Sequence, residues 1–138
     1  MLAKHRTVLC VDDDPDDQMM VLDTIRDIDS TIRVASALNG LEALRFLEEG
    51  KNKNGLPCLV LMDINMPLMD GKQTVARIKK DKELDAVTVV MFTTSASKID
   101  QAFCERLGVP FITKPMSHKA LEEIIRKLLA YCPGNPAS

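Results

Sequence analysis

The chain has 138 residues, of which 46% are hydrophobic and 28% charged. This is ordinary composition for one globular domain; it excludes a disordered chain and allows a core that needs neither disulfide nor metal. Eighteen Lys and Arg against 20 Asp and Glu give a formal charge of -2, without the basic footprint of a nucleic-acid binder, and no apolar run approaches a membrane span.

The elements follow in chain order. Met1 to Thr7 carries Lys4, His5 and Arg6, but the short apolar run behind it ends in acids, unlike a signal peptide. Thr7 to Val11 (TVLCV) reads as a buried strand. Pro15 to Asp29 reads as a helix, with Asp14 as N-cap, Pro15 at the first position, and Asp16 and Asp17 at the positive dipole end. Met19, Leu22, Ile25 and Ile28, with Val21 beside them, supply its buried stripe. Thr31 to Ala35 is a weaker, more peripheral strand because of Arg33. Asn39 to Glu49 is the second helix, capped by Asn39 with Glu42 at the capping-box position and stopped by Gly50. The loop Lys51 to Pro57 is polar and basic. Cys58 to Met62 (CLVLM) is apolar throughout, as expected of a central parallel strand covered on both faces.

Asn65 to Gly71 is a loop and Lys72 to Lys80 a short helix. Val87 to Phe92 is a buried strand. Ser97 to Leu107 is a helix opened by a Ser97 and Asp100 capping pattern and ended by Gly108. Val109 to Thr113 is the last strand. Ser117 to Tyr131 is the last helix, with Leu121, Ile124, Ile125 and Leu128 at helical spacing. The tail 133–138 (PGNPAS) is expected to be disordered, leaving 1–132 as the domain. The four cysteines form no CxxC pair and have no close His, so they read as reduced thiols, with Cys10 and Cys58 inside apolar runs. Met62, Met66 and Met69 read as strand packing plus a loop.

Strand and helix thus alternate five times, which predicts a doubly wound five-stranded parallel sheet with helices on both faces. Sites in such folds lie beyond the carboxyl ends of the strands, where strand order reverses. Asp12, Asp13 and Asp14 follow the first strand and Asp63 the third. Thr93, Thr94 and Ser95 follow the fourth, and Lys114 and Pro115 the fifth. With the order 2-1-3-4-5, Asp12, Asp13 and Asp63 converge in one crevice beside a hydroxyl and an ammonium. Clustered carboxylates repel each other, and a hard divalent cation relieves that repulsion. A carboxylate among such charges can take up a phosphoryl group.

The segments VDDDP (Val11 to Pro15), LVLMDINMPLMDG (Leu59 to Gly71), MFTTS (Met91 to Ser95) and FITKP (Phe111 to Pro115) resemble the receiver domain of bacterial two-component response regulators. The resemblance covers nearly the whole chain. It implies a flavodoxin-like fold and a phosphorylation-controlled signalling switch, more than a turnover enzyme. It implies that Asp63 accepts a phosphoryl group from a sensor histidine kinase or a histidine phosphotransfer protein, and that Asp13 binds Mg²⁺ (or Mn²⁺) directly. By the same resemblance Asp12 holds a metal-bound water and Asn65 offers its backbone carbonyl to the metal. Lys114 matches the lysine that pairs with phosphoryl oxygens, and the following Pro115 suggests a cis peptide. Thr93 and Phe111 match the hydroxyl and aromatic switch pair.

Two departures stand out. Thr94 occupies a position where the family often has Ala or Gly and is expected to narrow access to Asp63. The turn Gly108, Val109, Pro110 is short and is expected to reshape the output face. A stand-alone cytoplasmic regulator is expected, acting through an unidentified downstream protein, as a monomer or a phosphorylation-dependent dimer. Nucleic acid and membrane are not expected partners. A phosphatase of the haloacid dehalogenase type would need a second Asp where Asn65 stands. A receiver-like binding module without phosphate chemistry would not need Asp12, Asp13, Asp63, Thr93 and Lys114 together. A flavodoxin-type carrier is disfavoured by its acidic first turn, which repels phosphate.

Overall fold

A computed structural model describes residues 6–53 and 55–132. The expected disordered tail, 133–138, lies outside the described residues. Strands β1 (Thr7–Val11), β2 (Arg33–Ala37), β3 (Leu59–Met62), β4 (Val89–Thr93) and β5 (Phe111–Thr113) alternate with helices α1 (Pro15–Ile28), α2 (Gly40–Asn52), α3 (Gly71–Lys80), α4 (Lys98–Arg106) and α5 (His118–Leu128). A 3-10 turn, Leu129–Tyr131, follows. All strand pairs are parallel, in the order β2-β1-β3-β4-β5. The expected architecture is therefore the one found.

Side-chain alternation along each strand sorts the core into two layers. Val8, Cys10, Leu59, Leu61, Val90 and Phe92 share one layer with Val21 and Ile25 of α1 and Leu121, Ile125 and Leu128 of α5. Leu9, Val11, Val60, Met62, Val89 and Met91 share the other with Leu47 of α2, Val75 and Ile78 of α3, and Cys104 of α4. The three central strands, β1, β3 and β4, are thus buried on both sides, which explains why they read as unbroken apolar runs.

The local departures have physical causes. The buried stripe of α1 is Val21, Thr24 and Ile25, while Met19 is 57% exposed. β2 begins at Arg33, where its amide meets the Arg6 carbonyl at 2.8 Å; Ile32, though buried, precedes the ladder. Asn39 caps α2 by accepting from the Glu42 amide, but Glu42 Oε1 accepts from Leu38 N instead of completing a box. Gly50 does not stop α2, which runs on to Asn52. A capping box of Asp70 and Gln73 starts α3 at Gly71. Gly108, at φ +70, takes the left-handed position after α4. Met62 packs in β3 as expected, and Met69, read as a loop residue, is also buried.

The cysteine expectation needs a larger correction. Cys10 and Cys104 are free and buried, and burial pushes the Cys10 thiol up to about 12. Cys58 and Cys132, however, form a disulfide with their Cα atoms 5.3 Å apart. The turn after α5 brings Cys132 beneath the start of β3, where Arg6 Nη1 holds its carbonyl at 3.1 Å. Seventy-four residues separate the pair, so spacing along the chain carries no trace of it.

Candidate phosphoacceptor site

Sheet register assembles the site. Val11 pairs with Met62 across β1 and β3, so the next residues, Asp12 and Asp63, leave the sheet side by side. Thr93 pairs with Thr113, and the Lys114 amide donates to the Thr93 carbonyl at 2.8 Å. The strand-order reversal between β1 and β3 thus opens a crevice onto which four strand ends deliver polar side chains.

Carboxylate oxygens of Asp12, Asp13 and Asp63 all lie within 4.8 Å of one another. Asp12 and Asp63 are buried, at 4% and 8% exposure, while Asp13 is exposed. Lys114 reaches into this cluster: its Nζ stands 2.5 Å from Asp12 Oδ2, 3.1 Å from Asp17 Oδ2 and 3.5 Å from Asp63 Oδ2. The backbone fixes the remaining oxygens. Asp14 N donates to Asp12 Oδ1 at 2.9 Å, and Ile64 N to Asp63 Oδ1 at 2.8 Å.

Burial raises the Asp12 carboxyl above its ordinary value, with the Lys114 and Asp14 hydrogen bonds pulling back against it. Burial alone would lower Lys114, but its hydrogen bond to Asp12 and the charges of Asp63 and Asp12 outweigh that and raise it. The ammonium therefore stays charged, as the one basic group against four carboxylates here. An all-oxygen donor set, part buried and part open, suits a hard divalent cation, and Asp12, Asp13 and Asp63 are the residues able to hold one.

The other expected residues lie on the adjoining strands and loops. Asn65 is exposed in the loop two residues past Asp63. Thr93 is fully buried, and its Oγ1 accepts from Ser95 N at 3.2 Å. Phe111 is half-buried and packs against the α2–α3–α4 layer. Thr94 is exposed and lines a cavity of about 120 Å³ with Asp17, Met20, Lys114 and Met116. The Lys114–Pro115 bond is trans, correcting the cis expectation. Trans is the lower-energy isomer of an X–Pro bond by about 0.5–1 kcal/mol, and Lys114 reaches Asp12, Asp17 and Asp63 from it.

Three contributors were not foreseen. Asp17, read as a helix-start acid, also pairs with Lys114. Gln18 Nε2 donates to the carbonyls of Asp12 and Ala37, both at 2.8 Å, and so pins the β1 and β2 ends together. Nothing in a lone Gln within an acidic helix start signals that role. Gly71 packs on the backbone of Asp63: a Cβ there would collide with the Asp63 carbonyl oxygen and come within 2.9 Å of Ile64 Cα. The first turn of α3 thereby abuts the peptide that carries Asp63.

Comparison with known proteins agrees with this geometry. Residues 8–126 match the response regulator receiver domain. The chain is 29% identical over 131 residues to the probable methanogenesis regulatory protein FilR2 of Methanothrix harundinacea, covering 92% of this chain and 83% of that one. The phosphorylated cyanobacterial phytochrome response regulator RcpA superposes with a TM-score of 0.83 at 27% identity, covering 96% of this chain and 99% of that one. The Mn²⁺-bound form of Rcp1, a response regulator of Synechocystis, superposes at 0.80 with 28% identity, covering 92% and 94%. Fold, strand-end acids and the match across residues 8–126 together make this chain a member of the response regulator receiver domain family.

Proposed function

We propose that Asp63 is the phosphoacceptor of a signalling receiver spanning residues 1–132. The observation that carries this is a buried carboxylate with Asp12 and Asp13 oxygens within 4.8 Å and the Lys114 ammonium 3.5 Å away. An Asp63 oxygen attacks the phosphorus of a phosphohistidine on a sensor kinase or phosphotransfer protein. The P–N bond breaks and its electron pair stays on the imidazole nitrogen. Ile64 N orients the carboxylate by holding Oδ1, leaving Oδ2 toward Lys114. Lys114, already desolvated, moves its charge from the carboxylates onto the incoming phosphoryl oxygens. Asp12, Asp13 and Asp63, with the Asn65 carbonyl, would hold Mg²⁺ or Mn²⁺, which when bound neutralises the clustered negative charge.

Phosphorylated RcpA and Mn²⁺-bound Rcp1 support this assignment by similarity. Thr93 then engages the phosphoryl group and Phe111 turns with it, changing the surface formed by α4, β5 and α5. The product is a protein contact or a relayed phosphoryl group, not turnover of a substrate; the partner is protein, not nucleic acid or membrane. A phosphodonor of this kind favours a cytoplasmic chain, acting as a monomer or as a dimer formed on phosphorylation.

The test is intact mass after incubation with acetyl phosphate and Mg²⁺. One phosphoryl group should appear, should require the cation, and should be lost in Asp63→Asn. Thr94→Ala should speed the gain by opening the cavity beside Lys114. A mass gain that survives Asp63→Asn would overturn the assignment.

A further inference from the structure

A second polar cluster lies on the other side of Thr93. Ser97 caps α4, its Oγ accepting from Asp100 N at 3.3 Å. The Asp100 side chain does not return to the Ser97 amide as a capping box would. Its Oδ2 instead accepts from Ser95 Oγ at 2.7 Å, and its Oδ1 pairs with Lys72 Nζ at 2.7 Å. Ser95 Oγ also accepts from Ser97 N at 3.2 Å, and Ser95 N donates to Thr93 Oγ1 at 3.2 Å. Lys72 sits in the first turn of α3, one residue after the glycine that abuts Asp63, and lies 5.9 Å from the centre of the Phe103 ring. An unbroken chain of polar contacts therefore runs from α3 through Asp100 and Ser95 to the Thr93 hydroxyl. Asp100 is buried, and the Lys72 ammonium holds its carboxyl below the ordinary range.

Resting on the phosphoacceptor reading above, we infer that Lys72, Asp100 and Ser95 form a latch that holds the loop between β4 and α4 so that Thr93 stays on the Ser95 amide, opposing its movement to a phosphoryl group on Asp63. Lys72 and Asp100 are positioning residues: they touch no reacting atom and act through Ser95. A ligand shifts a two-state element only by its difference in affinity for the two states. Where the bound state must release the latch, weakening the latch makes phosphoryl binding tighter. The pair is open to solvent only on its Lys72 side and such an ion pair is modest in strength, so the effect is a fold-change of about two to ten and not a switch locked by itself.

The experiment titrates beryllofluoride, a phosphoryl mimic, into the full chain with saturating Mg²⁺, following the Ser95 amide by NMR. Acetyl phosphate labelling of the same samples is read by intact mass. Asp100→Asn and Lys72→Met should each tighten beryllofluoride about two- to tenfold, while lowering thermal stability. Lys72→Arg should restore the wild-type value. The double variant should gain no more than either single one, because both break one contact chain. In a Thr93→Ala background Asp100→Asn should have no effect, since nothing remains for the latch to hold. A purely structural role would lower stability and leave affinity unchanged, and that result overturns the latch. So does weaker binding in both variants, which would mean that the contacts prepare Thr93 for the phosphoryl group instead of withholding it. If the wild-type chain itself takes up neither acetyl phosphate label nor beryllofluoride, the phosphoacceptor reading falls and the latch with it. If wild type labels normally and the variants match it, only the latch falls.

Discussion

Breaking the bond between Cys58 and Cys132 should cost stability without touching phosphoryl chemistry. The bond closes a loop of 74 residues. In the chain-entropy account, that closure removes about 15 cal/mol/K from the unfolded ensemble, or about 4.5 kcal/mol at 25 °C. Between the shifts expected for smaller and larger domains, about 3 °C per kcal/mol is reasonable here, so loss of the bond should lower Tm by up to about 13 °C. Cys58→Ser, Cys132→Ser and the double variant should lose nearly the same amount, because each breaks one shared bond. Five residues of extended chain, about 17 Å, separate Cys58 from Asp63. Acetyl phosphate labelling of the folded variants should therefore proceed at the wild-type rate. The assay is thiol titration in denaturant without reductant, paired with thermal unfolding in the presence and absence of reductant. Two reactive thiols should titrate, from Cys10 and Cys104. Four thiols, or a Tm indifferent to reductant, would refute the reasoning.

Other outcomes follow from the site. Gly71→Ala drives a methyl into the Asp63 backbone; overpacking of about 1–3 kcal/mol outweighs the about 1 kcal/mol of helix propensity gained, so Tm should fall, and labelling of the folded variant should slow about ten- to hundredfold. Lys114→Met leaves buried Asp12 and Asp63 without their cation and should cost about 3–5 kcal/mol in EDTA, with added Mg²⁺ recovering part of the loss in a denaturant titration. Because Lys72 depresses Asp100, the Asp100 contribution to stability is full above the ordinary Asp range and is lost as pH falls through the lower folded value. Denaturant midpoints should therefore fall less between pH 5 and pH 3 in Asp100→Asn than in wild type, and equal falls would contradict the pairing.

How much of this was legible in the sequence depends on the range of each interaction. β1, β3 and β4 announce themselves because burial on both faces demands unbroken apolar residues. The strand-end positions of Asp12, Asp63, Thr93 and Lys114 then follow from topology alone. β2 lies at the sheet edge, and there the apolar signal of Ile32 is displaced from the ladder that starts at Arg33. Gly50 misleads because a glycine can stay helical when its neighbours continue the turn. The roles of Gln18 and Gly71, and the pairing of Cys58 with Cys132, depend on contacts between distant segments. A single sequence records the residue types of such contacts but not their meetings. Asp100 is an intermediate case: its capping position was visible, but its partners Lys72 and Ser95 were not.

The strand order also has a consequence for synthesis. Asp12 and Asp63 come together as soon as β3 pairs with β1, but the ammonium that faces them is at position 114, 51 residues further on. At ordinary elongation rates that is about 3 to 10 s. During that interval a nascent sheet of β2, β1 and β3 carries its acidic crevice uncompensated by the chain itself. Until the fifth strand arrives, the repulsion between these carboxylates is relieved by water, protons or ions from solvent and not by the chain, so the charge that balances the crevice is the last part of it to be made.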